Sequence, residues 1–290
     1  MKIKEALGFG IDALTYGLYL QDDKETKRHI ESDVYFLLTS LLNSNRTYIK
    51  TNPDKELSKE DEEKFKSWLA RRLSLEPVQY ISGETEFYSL NFYVGKGVLI
   101  PRQDTETLVE LVEKHFHDKK KELLFMDLCC GSGCIGISLL KTFPNSNCVF
   151  VDKHKAPIEY TLKNIKRHEL EKRAKVIESD LFSTLNKDLR FDAIVCNPPY
   201  ISPQDLKSVS MQITLFEPIE ALKGGTDGLY YYRQVADSGQ RFLKPSAPLF
   251  MEIGYNQSKD VCQIFKNWDK TTIHKDLTGN PRVVKALRPN

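Results

Sequence analysis

No stretch of this 290-residue chain approaches the roughly 20 consecutive apolar residues of a membrane-spanning helix, although 40% of its residues are hydrophobic. The start, Met1 to Lys4 followed by Glu5 and a helical pattern interrupted by Gly8 and Gly10, lacks the apolar core and small-residue cleavage site of a signal peptide. A cytoplasmic protein is the expectation. Excess charge of one sign is also missing: the formal net charge is only +2, too little to demand extended phosphate contact. Disulfide spacing is absent too, because most of the cysteines (Cys129, Cys130, Cys134, Cys148, Cys196, Cys262) fall in or beside apolar segments, as buried reduced thiols do. Neighbouring Cys129 and Cys130 cannot easily converge on one ion and no second ligand pair follows, so no metal site is expected.

What the chain does contain changes in texture along its length. Residues 1–76 repeat apolar side chains at helical spacing, through Ile3, Leu7, Ile11, Leu14 and Leu18, and again through Val34, Leu37, Leu38 and Leu41. Ser58 with Asp61 is a capping-box pattern opening a helix that carries Phe65, Trp68, Leu69 and Arg72. A small helical bundle is expected there, with substrate recognition as its functional reading. Residues 77–100 turn to Tyr, Phe, Ile and Thr punctuated by glycine, which suggests a strand pair acting as a β-hairpin linker. In residues 101–290, a helix capped by Asp104 comes first, and short apolar runs then alternate with helical patterns. That alternation gives a doubly wound, mostly parallel α/β sheet covered on both faces. The tail, around Gly279-Asn280-Pro281, reads as an antiparallel hairpin.

Two motifs carry chemistry. Asp127-Leu128-Cys129-Cys130-Gly131-Ser132-Gly133-Cys134-Ile135-Gly136 runs from a strand through a glycine-rich turn into a helix. Such a turn lets backbone approach a ligand and presents unpaired N–H groups. Asp152 ends the next strand, 19 residues past Gly133, where a carboxylate accepts ribose hydroxyls. Gly131-x-Gly133-x-x-Gly136 also fits a dinucleotide fingerprint. Asp127 separates the two readings, because an acidic group suits the cationic methionine end of S-adenosylmethionine (AdoMet) and not a pyrophosphate; it could equally cap nearby backbone N–H groups. Asp180, followed by Leu181, is placed to meet the adenine amino group, or to cap a helix.

The second motif is Asn197-Pro198-Pro199-Tyr200, directly after the strand 191–196. Consecutive prolines fix φ and stiffen the backbone. The Asn197 side-chain oxygen and the Pro198 carbonyl can accept both hydrogens of a target NH₂ group, while Tyr200 packs on a flat acceptor. Orienting an amide or amino nitrogen in this way lets positive charge develop as it attacks a methyl group in line. In a doubly wound sheet both motifs meet at the switch point if the first and fourth strands are neighbours.

These residues, together with Pro101-Arg102-Gln103-Asp104-Thr105-Glu106 and Phe216-Glu217-Pro218 with Ala221-Leu222, resemble the HemK/PrmC family over essentially the whole chain. That family methylates the glutamine N5 of class 1 peptide-chain release factors. The resemblance implies AdoMet contacts from Asp127, Cys129, Cys130, Gly131, Ser132, Gly133, Asp152, Asp180, Leu181 and Asn197, with S-adenosylhomocysteine as product. It implies that Asn197, Pro198, Pro199 and Tyr200 hold the glutamine of a Gly-Gly-Gln loop, with Asn197, Pro198 and Tyr200 as the catalytic set. Two departures stand out: Gln103 replaces the usual Pro, and Cys129-Cys130 replace Gly-Thr.

Three other functions compete. An amino-methyltransferase acting on adenine or guanine in RNA or DNA would use the same Asn-Pro-Pro-Tyr pocket on a flipped base; the near-neutral charge and a helical rather than basic N-terminal segment argue against it. An inert AdoMet-binding module does not need the intact Asn197 and prolines. A nicotinamide enzyme lacks a His or Lys placed for hydride transfer. A monomer is the default expectation.

Overall fold

A computed structural model describes residues 1–19 and 29–290; the part of the expected N-terminal domain at 20–28 lies outside the described residues. The chain divides into two compact units, residues 1–84 with 209–217, and residues 85–208 with 218–290.

The first unit is helical. Helices α1 (Ile3–Tyr19), α2 (Ile30–Leu41) and α4 (Lys59–Leu73) bury one stripe each, among them Leu14 and Leu18, Val34 and Leu38, and Phe65 and Leu69. Short α3 (Arg46–Thr51) and α5 (Val78–Ser82) complete the bundle. Gly10 does not break α1. A Cβ there would lie 2.9 Å from Val34 and 3.0 Å from Phe65, so the missing side chain admits α2 and α4. Ser58 caps α4 as the sequence suggests: its Oγ accepts the Asp61 N–H at 3.0 Å, and the Asp61 carboxylate accepts the Ser58 hydroxyl at 2.7 Å. Arg72, 2% exposed, is held by Asp33 at 2.8 Å, as a buried cation requires.

Residues 77–82 are not a strand. Pro77 stands before the single turn of α5, and Gly83 ends that turn at φ +81°, the glycine helix stop of a left-handed C′ position. The hairpin follows as β1 (Glu84–Phe87) and β2 (Leu90–Tyr93), with Tyr88 and Ser89 both at positive φ, the conformation of a tight two-residue turn. Residues 209–217, which a boundary at residue 101 would place with the sheet, instead cluster with the first unit. Their helix α9 (Met211–Phe216) packs Phe216 against the bundle core.

The second unit is a seven-stranded sheet. After α6 (Glu106–His115), β3 (Leu124–Leu128), β4 (Asn147–Asp152), β5 (Ala174–Glu178), β6 (Ala193–Cys196) and β7 (Pro248–Glu252) run parallel, and β8 (Asp269–Lys275) and β9 (Pro281–Leu287) form the terminal hairpin. The order is β5-β4-β3-β6-β7-β9-β8, with β9 antiparallel to both neighbours. Helices α7 (Cys134–Thr142), α8 (Lys155–Arg167), α10 (Tyr230–Ser238) and α11 (Ser258–Ile264) connect the strands. Side chains alternate between two apolar layers: Met126, Leu128, Ile194 and Cys196 enter one, and Phe125, Ala193, Val195 and Phe250 the other, as the two-residue strand period dictates. Asp104 does not cap α6. It pairs with Arg282 at 2.9 Å, a charge-assisted contact that a backbone cap does not match. No helix among the described residues is long and apolar enough to cross a membrane.

Candidate active site

β3 and β6 are adjacent, with Leu128 opposite Cys196, and their onward connections leave in opposite directions along the sheet, to β4 and to β7. That switch point is where a doubly wound sheet opens a crevice at its carboxyl edge. A cavity of about 290 Å³ lies there, near the lower end of the roughly 300–1,000 Å³ of small-molecule sites.

The glycine-rich turn forms one wall. Cys129, Gly131 and Gly133 all take positive φ, at 59°, 57° and 79°, so the chain doubles back before α7. Cys129, where glycine would adopt this backbone at no cost, carries the strain of a left-handed side chain. Helix α8 holds the turn: Thr161 Oγ1 donates to the Gly131 carbonyl at 2.9 Å, and buried Asn164 donates to the Ser132 carbonyl at 2.9 Å. Asp152 accepts the Gly131 N–H at 3.0 Å and the His154 N–H at 3.1 Å. Each oxygen keeps a further lone pair for a ligand hydroxyl.

Of the residues singled out from sequence, Cys129, Cys130, Gly131, Ser132, Asp152, Asp180, Leu181, Asn197 and Pro199 line this one cavity. Asp127, Gly133, Pro198 and Tyr200 do not. Asp127 lies beneath the turn because Met126 and Leu128 face one layer and Asp127 must face the other. There it is fully buried and one oxygen accepts the Gly136 N–H at 2.8 Å. The other has no hydrogen-bond partner among the described residues. Burial, and to a smaller degree the charge of Asp152, push its carboxyl well above the usual range. Burial likewise raises Asp152. Asp180 is exposed and paired with Lys153 at 2.7 Å. The cavity wall thus carries the carboxyl groups of Asp152 and Asp180 alongside the cationic Arg102 and Lys153.

The Asn-Pro-Pro-Tyr segment is anchored by groups that sequence reading did not single out. Tyr200 turns its ring inward and donates its hydroxyl to Glu252 at 3.0 Å. Glu252, at the end of β7, also accepts the Thr105 hydroxyl at 2.6 Å, and Thr105 receives the Asn197 amide N–H at 3.3 Å. Burial raises Glu252 while Thr105, Arg282 and Tyr200 oppose that rise. Gln257 donates to the Tyr200 and Gly228 carbonyls at 2.9 and 3.2 Å and accepts from the Gly254 N–H and the Tyr232 hydroxyl. The rest of the wall includes Thr105, Lys153, His154 and Tyr231 and residues of 97–102 and 218–221, among them Arg102, Pro218 and Ala221. Parts of both stretches carried the family resemblance without an assigned role. Glu252 had one available signal, an acidic residue closing an otherwise apolar strand.

A family model described as the methyltransferase small domain matches residues 102–226, and that of the PrmC N-terminal domain matches residues 24–83. The release factor glutamine methyltransferase of Clostridium botulinum is 39% identical over 259 residues, which cover 88% of this chain and 91% of that one.

The chain belongs to the release factor glutamine methyltransferase family.

The Koribacter versatilis member of that family is 37% identical over 254 residues, covering 87% of this chain and 89% of its own. The sheet is a methyltransferase fold: a methyltransferase from Pyrococcus furiosus superposes with a TM-score of 0.53 at 14% identity, over 76% of this chain and 98% of that one. At that identity the likeness concerns the fold. For this member of the release factor glutamine methyltransferase family, the two-unit division gives the N-terminal family match a compact body of its own.

Proposed function

We propose that this chain methylates the side-chain amide N5 of the glutamine in the Gly-Gly-Gln loop of class 1 peptide-chain release factors, with AdoMet as donor and S-adenosylhomocysteine as product. The observation that carries this reading is the shared cavity: the glycine turn, Asp152 and Asp180 line it together with Asn197 and Pro199. The lone pairs that Asp152 keeps free beside its two backbone contacts fit the ribose hydroxyls of that donor. AdoMet supplies an activated methyl on a sulfonium leaving group.

In this reading the chain's residues do the following. Backbone at 129–133 approaches the donor, Asp152 accepts its ribose hydroxyls, and Asp180-Leu181 borders its adenine. Asn197 Oδ1 and the Pro198 carbonyl accept the two N–H groups of the glutamine amide, which aims its nitrogen and favours the positive charge that grows there. Tyr200, its hydroxyl anchored on Glu252, braces the segment and packs its ring on the flat acceptor. The helical unit would bind the release factor, and the protein would work in the cytoplasm.

The test is tritiated-methyl transfer to a purified release factor, to the same factor with its Gly-Gly-Gln glutamine replaced, and to bulk RNA and DNA. Label on the unaltered factor alone is expected. Label on nucleic acid would keep the methyltransferase and overturn the substrate. Asn197→Ala is expected to lower transfer by at least about 10²–10³-fold while leaving the fold intact, and an undiminished rate refutes its acceptor role.

A further inference from the structure

The Asn197 side chain has two nearly isosteric ends, and only one orientation offers its oxygen to an acceptor amide. We infer that buried Glu252, acting through Thr105, fixes that orientation and so positions Asn197 for methyl transfer; this rests on the acceptor role proposed for Asn197.

The polarity of the chain of hydrogen bonds carries the inference. Glu252 accepts the Tyr200 hydroxyl on one oxygen and stands in the field of Arg282, so it also accepts on the other, and the single Thr105 hydroxyl proton is committed to Oε2 at 2.6 Å. Thr105 then has only lone pairs to offer Asn197, and the Asn197 Nδ2 donates into them at 3.3 Å. A flipped Asn197 would set its oxygen against Oγ1 with no proton between them. Thr105 and Glu252 are each 2% exposed, and Thr105 lines the cavity beside Asn197. The second Glu252 oxygen is occupied by the Tyr200 hydroxyl at 3.0 Å. One carboxyl group therefore sets both ends of the Asn-Pro-Pro-Tyr segment, while Gln257 holds the Tyr200 carbonyl at 2.9 Å. Thr105 and Glu252 are positioning residues.

The experiment compares Thr105→Val, Thr105→Ser, Glu252→Gln, the double variant Thr105→Val with Glu252→Gln, and Asn197→Ala in the full chain. Methyl transfer to the release factor gives kcat and KM, calorimetry gives AdoMet affinity, and ¹⁵N spectra without donor report the Asn197 side-chain NH₂, assigned by its loss in Asn197→Ala. Thr105→Val is expected to lower kcat roughly 10²-fold, with KM and AdoMet affinity within about threefold of the parent. Its Asn197 NH₂ signals are expected to shift. Thr105→Ser restores both kcat and the signals. The double variant loses less than the sum of the two single losses, because Glu252 reaches Asn197 through Thr105 while it separately holds Tyr200. Parental kcat in Thr105→Val, unmoved NH₂ signals, failure of Thr105→Ser to rescue, or additive losses in the double variant would each overturn the relay. Loss of activity in Asn197→Ala alongside parental activity in Thr105→Val overturns only the relay; full activity in Asn197→Ala overturns the acceptor reading beneath it.

Discussion

Gly136 sits inside α7, where replacing glycine by alanine ordinarily stabilises a helix by about 1 kcal/mol. Here the opposite sign is expected. A Cβ at this position would lie 2.4 and 2.8 Å from Cε1 and Cζ of Phe150 and 3.0 Å from the Asp127 carboxylate. Phe150 is fully buried in strand β4, between β5 and β3. Overpacking of this kind costs about 1–3 kcal/mol. Displacing Asp127 also weakens its 2.8 Å bond from the Gly136 N–H, part of the roughly 1.5–3 kcal/mol of a hydrogen bond to a carboxylate. Set against the propensity gain, Gly136→Ala is expected to lose about 1–3 kcal/mol. Gly8→Ala is the control. Gly8 is also helical, yet a Cβ there meets nothing within 4 Å, so a gain of about 0.5–1 kcal/mol is expected. Urea unfolding monitored by circular dichroism, with midpoint and slope fitted for the parent and both variants, measures each change. A Gly136→Ala protein as stable as the parent would show that the third glycine of the turn motif is not a packing requirement.

Two further outcomes follow from the geometry. Asp152→Ala removes the lone pairs aimed at the donor's ribose and is expected to weaken AdoMet binding by about 1–3 kcal/mol, roughly 5–150-fold; equal affinity by calorimetry would refute that role. Asp276 accepts from the Thr278 hydroxyl and N–H, the Asn280 N–H and Arg282; burial alone would raise its carboxyl, but these contacts hold it at about 2, below the ordinary 3.8. Its contribution to stability is therefore complete above about pH 4 and lost as pH falls through about 2. The stability gap between the parent and Asp276→Asn should be constant above pH 4 and close toward pH 2, and a gap that persists unchanged to pH 2 refutes the assignment.

The order of elements was legible because each strand of the sheet is a short apolar run and each connecting helix repeats its apolar face with helical period. The glycine turn and the Asn-Pro-Pro-Tyr segment were legible for a different reason: their backbone demands, positive φ or fixed φ, restrict residue type locally. Local patterns failed where a partner distant in the chain outweighed them. Asp104 looks like a helix cap, but Arg282 claims its carboxylate. The run from Pro77 looks extended by composition, but Pro77 and Gly83 bracket a helical turn.

The amino-acid sequence by itself determined the doubly wound sheet, the helical N-terminal body, the methyl-transfer chemistry and most of the cavity wall, since these depend on periodicity and on residues neighbouring in the chain. Only the tertiary structure decided that Asp127 lies beneath the cavity, because the side that a strand residue faces follows from which layer covers it. It also decided that Tyr200 turns inward and that Thr105, Asn197 and Glu252, from three distant parts of the chain, form one hydrogen-bonded line. A buried polar group must find a partner wherever folding brings one within reach, and sequence separation carries no record of that distance.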